Sequence, residues 1–484
     1  MSKFVSNTLK LFSATILGQI LGLIVMPFLS RLYTPADFGV YQLFFSMVAV
    51  VTVFSCFSYS SAINLPEKHE DAANIVVLCV FLIIVTSIIT TVFFLIFAGY
   101  IDNALNTPGF SNYFLLLPLA IISNSFAYIL SFWLSRREQF GTIAKANILS
   151  SITGKTVSVG SGILSPSPFG LIFGTIINDT TIFLVFLRRT AVDFPFLKEV
   201  TFRRMGQLAL RYKKFPQYDF SAKLVGAAAG QSAPLLLAFF FSPVIVGYYA
   251  MSGIIINLPL KLIGNSFSSV FYQKICAEKN LTGNIKNIVK SVHTRLISLG
   301  MFGCLIGMII GPELFAFVLG DKWLTAGVYA QILMPSFFVL FISVPLLSII
   351  NVAEKQDIFM WFNIYSLIST VSVLIIGGYY HDPIIVMILA SFSGVVSWSW
   401  MNIYTLKIAG IAPRETIEEI IRYLVFGLFF CLPLLFAKYF LAYHSKMLIL
   451  VAAIMSLIYY LIIIYRDTEL KQGLVNFVAD IRQK

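Results

Sequence analysis

The sequence predicts an all-α protein that crosses a membrane repeatedly, with about fourteen transmembrane helices. Three observations lead there. The chain has 484 residues, of which 58% are hydrophobic and 12% charged, with a mean hydropathy of +0.88, too apolar for a soluble domain. Apolar stretches of about 20 residues recur along its whole length, each able to cross roughly 30 Å of hydrocarbon as a helix. Lipid cannot bond open backbone groups, so spans of that composition and length are helical. Finally, Lys and Arg collect in alternate connections, as they do in the cytoplasmic loops of polytopic proteins.

The spans follow in order. The first, 9–30, comes after the weakly basic Lys3 and Lys10; it is too long for a signal segment and is read as retained. Next come 38–63, 73–100 and 113–134, then 143–164 and 168–187, parted by the break Ser165–Pro168. The longest basic segment follows, and after it 215–241 and 244–271. The remainder are 292–318, 326–350, 358–380 and 383–406, then 423–443 and 447–465. Connections after even-numbered spans carry Lys68, Arg136, Arg137, the run from Arg188 to Lys214, then Lys274 to Lys290, Lys355, Lys407 and Arg414. Those after odd-numbered spans carry only Arg31, Lys322 and Lys446. Both termini are therefore expected in the cytoplasm. Leu197–Tyr212, Pro413–Ile421 and Asp467–Ile481 read as interfacial helices resting on headgroups.

The net charge of +12 would suggest nucleic acid in a soluble protein. Here the basic residues flank spans and meet anionic headgroups instead, so no nucleic-acid partner is expected. Cys56, Cys79, Cys276, Cys304 and Cys431 are scattered without CxxC spacing, and His69, His293, His381 and His444 form no helical pair; no metal site is expected. Extracytoplasmic loops are short, which argues against a membrane-embedded glycan polymerase or ligase. No enzyme and no cofactor are expected.

A repeat organises the chain. Thr34-Pro35-Ala36-Asp37-Phe38-Gly39-Val40-Tyr41 and Ser242-Pro243-Val244-Ile245-Val246-Gly247-Tyr248-Tyr249 share the pattern [ST]-P-x-x-x-G-x-Y. In each, Pro opens a helix, a small hydroxyl residue caps it, and Gly admits a close neighbour. Six spans separate the copies, so both enter the membrane in the same sense. This predicts two six-helix bundles, 1–190 and 215–410, in a parallel pseudo-two-fold repeat. A basic linker, 191–214, joins them, and 411–484 adds two helices and a tail. Transporters built this way bind substrate between the halves and alternate access by rocking.

Candidate binding residues are the polar groups that lipid would exclude. Asp219, Lys223 and Gln231 lie in the span that opens the second half; Asp219 and Lys223 are four apart, on one helical face. Pro216 begins this span and Pro234 is expected to kink it. Lys155 and Lys261 either line a cavity or snorkel to an interface. Gly154-Lys155-Thr156 is not a phosphate loop, since Leu149 stands where its first Gly belongs. Asp179 either bridges to a lysine or titrates to couple transport to protons. Gln19 and Gln231 either contact substrate or bond a neighbouring helix. Lysines outnumber aspartates, so the cavity suits an anion such as a pyrophosphate.

The chain resembles the Wzx-type polysaccharide-biosynthesis flippases of the multidrug/oligosaccharidyl-lipid/polysaccharide exporter superfamily. The residues that carry the resemblance are Leu32 to Tyr41, Lys214-Phe215-Pro216, Pro243 to Tyr249, Leu258-Pro259-Leu260, Phe315 to Trp323, and Ala326-Gly327, within roughly residues 5–410. The resemblance implies a flippase of the bacterial inner membrane. Its substrate would be an undecaprenyl-pyrophosphate-linked oligosaccharide, and its surroundings membrane lipids, with a polysaccharide polymerase and chain-length regulator as partners. Net transport needs an energy source, either a coupling ion (H+ or Na+) or consumption of product. The rivals are a lipid II flippase and a drug/cation antiporter; the latter should show carboxylates dominating the cavity.

Overall fold

A computed structural model describes residues 3–191, 200–258, 284–441 and 445–467, scattered positions between 260 and 281, and residue 471; of residues 3–17 and 356 it describes the backbone alone. Every regular element among the described residues is helical. The long helices are α1 (Lys3–Leu32), α2 (Pro35–Phe54), α3 (His69–Ile96), α4 (Leu117–Arg136), α5 (Phe140–Leu164) and α6 (Pro168–Thr190). The shorter α7 (Phe202–Arg211) precedes α8 (Phe220–Phe240) and α9 (Pro243–Ile256). Then come α10 (Lys286–Leu319), α11 (Leu324–Ser343), α12 (Gln356–Tyr379), α13 (Pro383–Ile408), α14 (Pro413–Tyr439) and α15 (Ser445–Arg466).

Eleven helices among the described residues are long and apolar enough to span a membrane, and Gly18–Leu32 and Pro243–Ile256 are shorter apolar helices. The 25-residue α5 is not among the eleven, because Lys145, Lys155 and many Ser, Thr and Gly dilute its apolar character. The outward-facing side chains are those of a lipid-facing protein. On α3, Phe81, Ile84, Ile88, Ile89, Val92, Phe93 and Ile96 are all exposed.

The chain forms two compact units. One comprises residues 1–251 with 363–386, the other 252–362 with 387–484. In the first, small residues draw helices together. A Cβ on Gly154 would lie 2.8 Å from the Gly174 carbonyl oxygen, so α5 and α6 meet backbone to backbone. The buried Tyr33 hydroxyl donates to the Ser158 carbonyl at 2.6 Å and tethers the end of α1 to α5. Asn106 donates to the carbonyls of Ala238 and Phe239 at 3.2 and 2.8 Å, satisfying the last turn of α8.

The second unit is centred on α10, α14 and α15, where Phe302 stacks on Tyr459 at 4.3 Å. Here α10 kinks, with Ile310 at φ −121°, ψ 22° two residues before Pro312. Proline has no N–H to give and disturbs the preceding turn. The freed carbonyls are taken up by side chains. Gln331 donates to Met308, and Lys438 donates to Ile309 at 2.6 Å while pairing with Glu313 at 2.7 Å.

Three local expectations need correction. The second span does not run on to residue 63: α2 stops at Phe54, and a 3-10 turn follows at Tyr59–Ala62. Pro413–Ile421 is not a separate interfacial helix but the first turns of α14, because Pro413 can only start a helix and nothing after it stops one. The part of Leu197–Tyr212 that is described does not merely rest on headgroups. α7 buries Met205 and Leu208, and Leu208 joins the cluster of Ile63, Ala72 and Ile75. Arg204 reaches Asp71 through two nitrogens at 2.7 and 2.8 Å. Asp467–Ile481 lies almost wholly outside the described residues. Pro234 sits within α8, and that helix continues through it to Phe240.

Candidate functional site

The site begins where α2 fails. Ser55 turns its hydroxyl back onto the Thr52 carbonyl at 2.7 Å, competing with the next helical turn. Phe57 and Ser58 then adopt φ of 45° and 62°, the left-handed region that costs a side chain strain unless its surroundings impose it. The reversal is held from outside: Tyr59 donates to the Ala209 carbonyl of α7 at 3.1 Å, and Phe57 and Phe54 each pack on Phe220 at 5.2 Å. Its effect is to turn a row of serines toward the start of α8.

There the chain enters through a π-helical turn, Phe215–Asp219. The Lys223 ammonium lies 2.8 Å from the Asp219 carboxylate and donates to the Ser61 hydroxyl at 3.0 Å. The Ser61 hydroxyl donates to the same carboxylate at 3.2 Å. The carboxylate and the hydroxyl thus satisfy each other, whereas an ammonium has three N–H donors and only two are engaged. Both charged side chains remain 37% exposed, enough for a ligand to reach the third.

A cavity of about 380 Å³ opens beside this triad, lined by Ser55, Cys56, Ser58 and Ser60 of the break, Asn124, Ser125 and Tyr128 of α4, and Lys223. The hydroxyls of Ser58, Ser60 and Ser125 are buried and have no hydrogen-bond partner among the described residues. Buried polar groups are normally bonded, and each orphan needs an explanation. Three around one cavity, with an ammonium at its edge, make a polar pocket able to bond the polar atoms of a ligand or of water. Asn124 leads from this pocket to the second acid by donating to Asp179 at 2.9 Å, and Asn178 donates to the other carboxylate oxygen at 3.0 Å.

The candidates named from sequence thus separate. Lys223, Asp219 and Asp179 lie on or beside one pocket; Asp179 is held by amides, where a lysine bridge was one of the two expectations. Lys155 is half-buried on α5, one residue from the Gly154 contact with α6. Gln19 is half-buried on α1, and its side-chain oxygen is buried without a partner among the described residues. Gln231 is half-buried on α8, eight residues beyond Lys223, or about 12 Å along the helix. Lys261 lies outside the described residues. Sequence reasoning missed Ser58, Ser60, Ser61 and Asn124. The cluster Ser55-Cys-Phe-Ser-Tyr-Ser-Ser61 inside an apolar run was the available signal, since serine-rich stretches favour turns.

The repeated motif forms a second feature of the site. Thr34 caps α2 in a full capping box with Asp37: the Thr34 hydroxyl accepts from the Asp37 N–H at 3.2 Å, and the Thr34 N–H donates to the Asp37 carboxylate at 2.7 Å. The two copies touch. A Cβ on Gly39 would fall 1.7 Å from the Pro243 carbonyl oxygen, and one on Gly247 would fall 1.8 Å from that of Pro35. Each glycine seats the opening proline of the other copy, so the start of α2 and the start of α9 clasp reciprocally.

A family model described as "Polysaccharide biosynthesis protein" matches residues 28–327. No curated protein matches the sequence. Among solved structures, the chain is similar to the lipid II flippase MurJ in an inward closed conformation, with a TM-score of 0.72 at 14% identity over 94% of this chain and 99% of that one. It is similar to an inward-facing multidrug resistance MATE family transporter of the MOP superfamily, with a TM-score of 0.64 at 13% identity over 83% and 98%. A variant of the Vibrio cholerae MATE transporter VcmN gives a TM-score of 0.54 at 11% identity over 84% and 95%. At these identities the likeness is one of fold alone.

Proposed function

The chain belongs to the polysaccharide biosynthesis protein family, and from that premise we propose that it is a flippase moving an undecaprenyl-pyrophosphate-linked oligosaccharide from the cytoplasmic to the outer leaflet by alternating access. It is a transporter, not an enzyme. The observation that carries the proposal is the pocket in which an ammonium and three unpartnered hydroxyls converge. Its volume of about 380 Å³ lies at the small end of ligand pockets. It suits a pyrophosphate or one sugar, with the rest of the glycan outside it. Phosphate oxygens would take the free donor of Lys223 and the three hydroxyls as charge-assisted bonds, while the lipid tail stays in the bilayer.

The reciprocal clasp of Gly39 and Gly247 supports alternating access. Backbones in direct contact at the two hairpin corners close one side, and the corners must part before that side opens. The two six-helix bundles, 1–190 and 215–410, are proposed as the rocking bodies, and Lys155 and Lys261 as further cationic lining. The inner membrane, cytoplasmic termini, an H+ or Na+ coupling ion, and a polymerase and chain-length regulator as partners belong to the same reading.

The experiment is deletion, followed by assay of lipid-linked repeat units. Repeat units should accumulate on the cytoplasmic face, and the intact gene but not Lys223→Ala should relieve this. Unchanged surface polysaccharide in the deletion strain removes the proposal. Arrest of peptidoglycan synthesis instead would assign lipid II as the substrate.

A further inference from the structure

A second cationic cavity lies in the other compact unit. It has a volume of about 760 Å³ and is lined by Arg295 on α10, Arg422 on α14 and Arg466 at the end of α15. Arg466 ends its helix and Arg295 and Arg422 lie within three turns of the start of theirs, in the halves that the basic-loop asymmetry assigns to the cytoplasm. One carboxylate also lines it: Asp467 binds Arg295 at 2.7 and 3.3 Å. Glu419, outside the lining, accepts from the lining Thr294 at 2.7 Å. Arg422 and Arg466 are exposed and have no ion pair among the described residues; Arg466 lies over the Phe426 ring at 5.5 Å. An arginine held on an aromatic face is preorganised, and its planar fork suits phosphate oxygens.

The cavity has an apolar continuation. Val425 and Phe429 line it, and on the same face of α14 the exposed Leu432 and Phe436 follow at helical spacing. Guanidinium groups near helix ends with an apolar stripe running from them into the membrane make one surface for an anionic head and its acyl chain. We propose that this cavity binds an anionic phospholipid, with its phosphodiester on Arg422 and Arg466 and its chain along Val425, Phe429, Leu432 and Phe436. Basic pockets between helices at this membrane face hold anionic lipid heads by this combination. The proposal is independent of the substrate pocket.

The test uses the full-length protein in detergent, with retained lipid measured by native mass spectrometry. Phosphatidylglycerol, phosphatidylcholine and inorganic phosphate are the probes. Each arginine near an anionic surface strengthens binding about fivefold, so Arg422→Gln/Arg466→Gln should bind phosphatidylglycerol about 25-fold more weakly. Arg414→Gln, which removes an exposed arginine bound to Glu418 at 2.8 Å, should bind as the parent does. Phosphatidylcholine should bind weakly to all. Equal phosphatidylglycerol binding by parent and double variant overturns the proposal, as does equal loss in Arg414→Gln. Displacement of the lipid by millimolar inorganic phosphate would show a plain anion site and overturn the acyl-chain part. Stronger lipid binding once the residues after 471 are removed would show that the chain's own tail competes for the pocket, and would overturn lipid as the resident occupant.

Discussion

Replacing Gly39 by alanine tests the clasp directly. The added methyl carbon would start 1.7 Å from the Pro243 carbonyl oxygen, and real contacts essentially never fall below 3.0 Å. That oxygen belongs to the backbone at the first residue of α9, so no rotamer change removes it. The helices must therefore separate by about 1.3 Å at this corner. Overpacking of a tight contact costs about 1–3 kcal/mol, which moves a two-state equilibrium roughly 5- to 150-fold. The closed corner should lose that much population to the open one. Gln42→Cys, one turn further along α2, reports the change through its reaction rate with a membrane-impermeant maleimide added from outside. The rate should rise at least fivefold in Gly39→Ala, and similarly in Gly247→Ala, whose methyl would fall 1.8 Å from the Pro35 oxygen. Because both methyls press on one interface, the double variant should cost less than the sum of the singles. Gly22→Ala and Gly99→Ala, which have open space around them, serve as controls. Unchanged labelling in both clasp variants, at parental melting temperature and expression, would refute the reasoning.

Further outcomes concern the pocket and its supports. Lys223→Ala should abolish export while changing stability by no more than about 1 kcal/mol, because an ion pair this exposed contributes little; export assay and thermal melts separate the two. Ser61→Ala removes a hydroxyl that both orders Lys223 and bonds Asp219, and should lower transport less than Lys223→Ala does. Asp179→Ala leaves Asn124 without its acceptor. If Asp179 carries the coupling proton, transport in vesicles should lose its response to an imposed pH gradient, and an undiminished response would exclude that role. Asp71→Asn should release α7 by weakening the two-nitrogen contact with Arg204, and speed proteolysis within residues 200–211.

Legibility differed from element to element. Long apolar periods made α3, α13 and α15 readable to within a few residues, since lipid permits little else. Asp219 and Lys223 were readable as a pair from their spacing alone. The break after Phe54 was signalled only by its serine cluster, and that signal gives no turn geometry: what holds Phe57 and Ser58 in their strained turn is Phe220 and Ala209, far along the chain. Serines 58 and 60 matter only because that turn aims them at a pocket.

By itself, the sequence determined that this chain is a bundle of membrane helices, which residues open them, and which charges are too costly to face lipid. Those are local matters of transfer free energy and backbone chemistry, decided within a few turns of helix. The tertiary structure alone decided that the two Pro–Gly motifs seat each other, that Ser61 completes the Lys223 pair and that three hydroxyls stay unpartnered around one cavity. Each of these depends on atoms brought together from distant positions, and no local preference records such a meeting.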